Sequence, residues 1–91
     1  MYKRSTTVVN KTGLHARPAS IFVNKANSFD SAITITNLSL SNPKTVNAKS
    51  IISILSLGMG KGSKVEIAAD GKDEVNAVDS LINLINTGFG E

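Results

Sequence analysis

Apolar positions along the chain switch between a period of two and a period near 3.6. From Ala32 to Thr36 the sequence reads Ala-Ile-Thr-Ile-Thr, an alternation that predicts a strand with one buried face. Lys64-Val65-Glu66-Ile67-Ala68 repeats it. Residues 2 to 9 are rich in threonine and valine and predict a further strand, with the Val8-Val9 pair leaving its buried face open. Leu38 and Leu40 fall out of register with Ile33 and Ile35, which puts a bulge or turn near Asn37. Ser41-Asn42-Pro43 reads as a turn and Thr45 to Ala48 as the returning strand. Between these segments Ala19, Phe22, Val23 and Ala26 make one apolar stripe on a helix ending near Asn27. Ser50 opens a short helix in which Ile51, Ile54 and Leu55 share a face, and Gly58-Met59-Gly60-Lys61-Gly62 ends it. The last helix buries Val75, Val78, Ile82 and Ile85, supplemented by Leu81. Asp70 is its expected N-cap, Asp73 and Glu74 lie in its first turn, and Gly88 is its C-cap.

The order is therefore βαββαβα. Amphipathic helices have to cover one face of a half-buried antiparallel sheet, so the expected fold is α+β: a two-layer open-faced sandwich forming a single domain over residues 1 to 91. No repeat, linker or low-complexity tract interrupts it. The chain has 91 residues, 41% of them hydrophobic, and no cysteine, so the fold must rest on its core alone. The longest apolar stretch, Ile51 to Met59, is far short of the about 20 residues of a membrane span. Met1 to Thr6 lacks the apolar centre of a signal peptide. A cytoplasmic location with no membrane insertion is the expectation, and on it Asn10-Lys11-Thr12 and Asn37-Leu38-Ser39 are chance sequons.

Chemistry concentrates in Gly13-Leu14-His15-Ala16-Arg17-Pro18-Ala19-Ser20, which holds the only histidine. Pro18 is tolerated only in the first turn of a helix, so the helix starts within about three residues before it and His15 lies at or next to the N-cap. Arg17 is the other possible cap, because a following proline disfavours helical dihedrals there. Either way His15 meets unpaired backbone N–H groups and the positive end of the helix dipole, where a phosphoryl group would find donors in place. Arg17 adds a fixed positive charge. Imidazole is substantially neutral near pH 7 and hence nucleophilic. An exposed helix end is worth about 0.3–1 kcal/mol toward an anion, enough to favour an arriving dianion and too little to hold phosphate unaided. The plainer alternative is a surface histidine at a helix start. The glycine-rich stretch at Gly58 to Gly62 is not a phosphate loop: that pattern requires Ser or Thr after Gly-Lys and a glycine five residues before the Gly of that pair, where Gly62 and Leu55 stand.

The segment Gly13 to Ser20 resembles the histidine phosphorylation signature of the HPr family, the small phosphocarriers of the bacterial phosphoenolpyruvate:sugar phosphotransferase system. Lys44-Thr45-Val46-Asn47-Ala48-Lys49-Ser50 through Gly58 resembles the family's serine phosphorylation signature. The resemblance spans essentially the whole chain and implies the same fold, a four-stranded antiparallel sheet covered on one face by three helices. It implies that His15 accepts a phosphoryl group on Nδ1 from enzyme I and passes it to sugar-specific IIA components, with Arg17 steadying the group. No cofactor or metal is implied for this chain; a lone histidine without cysteine makes no zinc site. Ser50, otherwise explained as a helix N-cap, is by the same resemblance the target of HPr kinase/phosphorylase, whose product binds the catabolite regulator CcpA. The serine segment departs from the signature at Pro43, where a small or acidic residue is expected, and the connection from His15 to Ser50 is a few residues longer than usual.

Partner docking is expected on Ala16, Arg17 and Ser20 with Ile51, Ile52 and Leu55, unless these isoleucines are simply core. Because a short helix cannot bury every direction, Ile51 and Ile54 should differ in exposure. Lys44, Lys49, Lys61 and Arg17 would ring this patch and suit acidic partners. A nucleic-acid-binding module is the rival class, prompted by the net charge of +3. Only Tyr2, Phe22, Phe29 and Phe89 are aromatic, none in a strand-borne stacking motif, and the basic residues are dispersed. Direct nucleic-acid binding is not expected, and the chain is expected to be a monomer. Within the family, nitrogen-regulatory and regulator-only relatives stay open, His15 arguing against those without the histidine.

Overall fold

The computed structural model describes residues Met1–Gly90, leaving Glu91 outside the described residues. Four strands, β1 (Tyr2–Thr7), β2 (Ala32–Asn37), β3 (Lys44–Asn47) and β4 (Lys64–Asp70), alternate with helices α1 (Ala16–Asn27), α2 (Ile51–Ser56) and α3 (Glu74–Asn86), and a short turn of helix closes the chain at Gly88–Gly90. The sheet is antiparallel throughout, in the order β1-β4-β2-β3. Ile35 stands opposite Ile67 and Ile33 opposite Ala69, so the alternation sends these side chains to one face. There they meet Phe22 and Ala26 of α1, Ile54 of α2, and Val78, Leu81 and Ile85 of α3 in one core. The βαββαβα sandwich with three helices on one face is thus the observed fold.

Several boundaries differ from expectation for physical reasons. β1 ends at Thr7; Val8 turns inward, its N–H bonded to the Ser63 carbonyl at 2.9 Å, and Val9 is exposed. Asn37 ends β2 as foreseen. It is buried, its Nδ2 donating to the Leu57 carbonyl (3.0 Å) and its Oδ1 accepting from Ser39 N–H (3.0 Å). The side chain thus turns the strand and ties it to the end of α2. Asp70 does not cap α3 but finishes β4; Asp73 takes the cap position without a side-chain cap bond. The Asp73 carboxylate reaches across instead to accept from the N–H groups of Asp30 (2.9 Å) and Ser31 (3.0 Å) and from the Ser31 hydroxyl. Starting at Glu74, α3 buries Ala77, Val78, Leu81, Ile82 and Ile85, while Val75 in the first turn stays exposed. Val75 lies roughly 90° around the helix from the middle of that row. Gly88, with φ +69°, follows the Thr87 cap in the left-handed conformation that ends helices.

Carboxylates at and after the start of α3 tie that helix to β1 and to the segment before β2. The Ser31 hydroxyl, then the Asp30 N–H, hold the Asp73 carboxyl below the ordinary value, and the Gly71 N–H and the terminal amine do so for Glu74. The Arg4 guanidinium, at 3.0 Å, and the Tyr2 hydroxyl lower Asp79, and the same bond to Asp79 raises the Tyr2 phenol. A carboxylate whose folded-state pKa is depressed contributes stability above its unfolded value and loses it as pH falls through the folded one. The melting temperature should therefore hold down to about pH 5 and fall below about pH 4. Asp73→Asn should melt lower than the wild type at pH 7, with the gap narrowing toward pH 2; a gap constant with pH would contradict the assignment.

A second expectation concerns Gly13, which has φ +69° and lies against the loop after α2. A Cβ there would sit 2.3 Å from the Met59 carbonyl oxygen and 2.6 Å from the Gly60 Cα. Both contacts are with backbone, so Gly13→Ala must displace one loop or the other. It should cost about 1–3 kcal/mol in chemical denaturation; a change under about 0.5 kcal/mol would refute the close approach.

Candidate functional site

The loop before α1 is held from below. Leu14 is fully buried and donates its N–H to the Met59 carbonyl at 2.8 Å. Asn10 supports the same turn, its Nδ2 reaching the Gly13 carbonyl at 2.9 Å. Above this anchor His15 takes the N-cap position in an extended conformation, φ −127° and ψ 159°, with no side-chain cap bond and its ring exposed. The choice of cap is thereby decided: His15 caps and Arg17 is helical. Extended backbone at the cap lets the chain enter the helix while the imidazole stays outside it.

The first turn is unusual. Ala16 has φ +52°, a left-handed conformation that disfavours any residue with a Cβ by about 1–2 kcal/mol. The N–H groups of Ala16 and Arg17 have no intrahelical acceptor, and among the described residues no other group accepts from them. Pro18, which has none to offer, is buried beneath. Arg17 is exposed and makes no hydrogen bond or ion pair among the described residues. His15 thus stands beside two amides and a guanidinium that are unpartnered among the described residues. This arrangement can receive a tetrahedral dianion on backbone donors that need no rearrangement.

Of the other residues singled out, Ser20 is exposed on α1. On α2, Ile54 is fully buried, whereas Ile51, Ile52 and Leu55 are 37%, 79% and 43% exposed. Ile51 and Leu55 therefore flank the buried stripe of α2 at the surface. α1 and α2 run antiparallel, because the segment after α2 meets Leu14 at the start of α1, while Asn27 at its end donates to the Lys49 carbonyl (3.2 Å). Ser50 caps α2, its Oγ accepting from Ser53 N–H at 3.3 Å. It consequently lies toward the opposite end of α1 from His15, about 18 Å along the helix.

One member of the expected basic ring is misassigned. The Lys49 ammonium donates to the Phe29 carbonyl at 2.8 Å and pins the end of α1 to the start of α2, whereas Lys44, Lys61 and Arg17 remain exposed. Sequence reasoning also missed Phe89, which is 7% exposed and joins the core. It lies with Arg17, Pro18, Ile21 and Gly90 around a recess of about 100 Å³ beside the site. Its flanking glycines were the available signal. Among the described residues no three His, Cys, Asp or Glu side chains group as metal ligands, and no helix is long and apolar enough to cross a membrane.

Comparison with known proteins agrees with this geometry. A family model described as the PTS HPr component phosphorylation site matches residues 2–87. The phosphocarrier protein HPr of Neisseria meningitidis is 41% identical over 91 residues, covering 100% of this chain and 98% of the relative. The crystal structure of HPr-C-His from Thermoanaerobacter tengcongensis superposes with a TM-score of 0.91 at 46% identity, over 100% of this chain and 98% of that one. For the phosphocarrier protein HPr from Bacillus anthracis the TM-score is 0.85 at 40% identity, over 92% and 95% of the two chains. With the fold, the exposed histidine at a helix start and the matched family all in agreement, this chain belongs to the HPr family of phosphotransferase-system phosphocarriers.

Proposed function

We propose that His15 is the phosphoryl carrier of this chain, taking the group from the phosphohistidine of enzyme I and giving it to sugar-specific IIA proteins. The observation that carries the reading is an exposed imidazole at the N-cap of α1, beside two amides and an arginine that have no partner among the described residues. In the accepting step Nδ1 of the neutral His15 ring attacks phosphorus as the nitrogen–phosphorus bond of the donor breaks, the proton on Nε2 staying in place; in onward transfer the acceptor attacks phosphorus and the bond to Nδ1 breaks. The donor imidazole leaves with its electron pair. Arg17 and the N–H groups of Ala16 and Arg17 meet the charge of the phosphoryl oxygens. Because these donors are exposed, they hold the group weakly enough for onward transfer. Ala16, Ser20, Ile51, Ile52 and Leu55 form the surface that a partner covers, and the exposed Lys44, Lys61 and Arg17 suit acidic partners such as enzyme I. The chain acts in the cytoplasm as a carrier consumed and regenerated in each cycle.

Mixing the protein with enzyme I and phosphoenolpyruvate should give an acid-labile, alkali-stable adduct, absent in His15→Ala. In Arg17→Ala the rate of labelling should fall by about 10- to 100-fold. Stable labelling of His15→Ala at the wild-type rate would end the proposal.

We further propose that Ser50 is a regulatory phosphorylation site for HPr kinase/phosphorylase, its product being recognised by CcpA. Support comes from its position at the head of α2 next to exposed Ile51 and Ile52. A phosphate there adds about −1.5 to −2 charge to the docking surface, repelling acidic partners and attracting basic ones. With that kinase and ATP the wild type should gain an acid-stable phosphate that Ser50→Ala lacks. Persistence of the label in Ser50→Ala would refute the assignment.

A further inference from the structure

The chain's last described residues contain a second backbone anomaly beside the site. Gly88, Phe89 and Gly90 have φ of +69°, +58° and +77°, three successive left-handed residues where such residues normally occur singly. Two of them are glycines, for which the conformation is permissive; Phe89 is not, and its ring is nonetheless buried. Strain of this kind persists only where the surroundings over-determine it, and it concentrates at functional sites. Here the surroundings are the first turn and a half of α1, since Phe89 and Gly90 close a recess whose other walls are Arg17, Pro18 and Ile21.

Arg17 itself has nothing to hold its guanidinium among the described residues. A long, exposed side chain with no partner among the described residues samples many rotamers, and these must be given up when it engages a transferring group. A wall along its apolar stem removes some of those rotamers beforehand. We infer that Phe89 is a positioning residue for phosphoryl transfer: the left-handed Gly-Phe-Gly turn locks its ring against the first turns of α1, where it confines Arg17 to the rotamers that serve His15. Burial of an apolar ring alone does not account for a chain end bent through three left-handed residues to deliver it next to Arg17. The inference rests on the phosphocarrier reading of His15 and Arg17, and the test separates the two.

The experiment measures kcat/KM of the full chain as phosphoryl acceptor from enzyme I with phosphoenolpyruvate, for Phe89→Ala and Phe89→Leu, each alone and combined with Arg17→Ala. Thermal melting identifies the variants that remain folded, and the criterion applies to either one. Phe89→Ala should lower kcat/KM by about tenfold, and Phe89→Leu, which keeps most of the apolar bulk, by no more than about threefold. With Arg17 already removed, neither change should cost more than about twofold, because a residue acting through Arg17 has nothing left to act upon. Equal losses in the two backgrounds, or no loss in either, would overturn the positioning role while leaving the carrier reading intact. Failure of the wild type to accept the phosphoryl group, or indifference to Arg17→Ala, would bring down both.

Discussion

The hydrogen bond from the Leu14 N–H to the Met59 carbonyl is the constraint on which the site depends. It joins the loop before α1 to the loop after α2, and it forms only because Gly13 lets two backbones approach more closely than a Cβ would permit. Leu14 is sealed in the core while the next residue, His15, is in solvent, so burial and presentation are accomplished within one peptide unit. The extended conformation of His15 and the left-handed Ala16 follow from having to begin a helix directly from that fixed point. The anchor below thus fixes where the helix begins, and the beginning of the helix leaves its first amides open above.

A second set of contacts holds the platform at its other end. Asn27 bonds both to the Val23 carbonyl of its own helix and to the Lys49 carbonyl, and Lys49 returns a bond to Phe29. α1 and α2 are thereby latched at both ends, which fits the proposal that several partners dock on the surface they share. A rigid surface spends little on ordering at each encounter, and this favours fast exchange over tight binding.

What the sequence disclosed was local in origin. The Ile33–Ile35 alternation, the α1 stripe and the Pro18 start signal concern residues within one or two turns of each other, and all were legible. Asp70, Asp73 and Glu74 were harder to sort, since each is a sound acid for a helix start; the choice falls to Ser31, more than forty residues away, whose hydroxyl claims Asp73. Lys49 looked like part of a charged rim for the same reason, because a bond to a main-chain carbonyl leaves no trace in spacing. Within the site, His15 and Arg17 were readable from the motif, and the difference in exposure between Ile51 and Ile54 followed from helix geometry. For Phe89 the flanking glycines signalled a turn, but only the fold shows that this segment returns to α1.

The antiparallel pairing of α1 and α2 separates two places where charge can be added by most of a helix length. At physiological ionic strength the Debye length is about 8 Å, so a phosphate at the head of α2 is largely screened from the imidazole. Its influence has to pass through whichever protein straddles both ends. If Ser50 is phosphorylated as proposed, such control would act on the choice of companion and leave the intrinsic reactivity of the ring untouched, redirecting the carrier without disabling it.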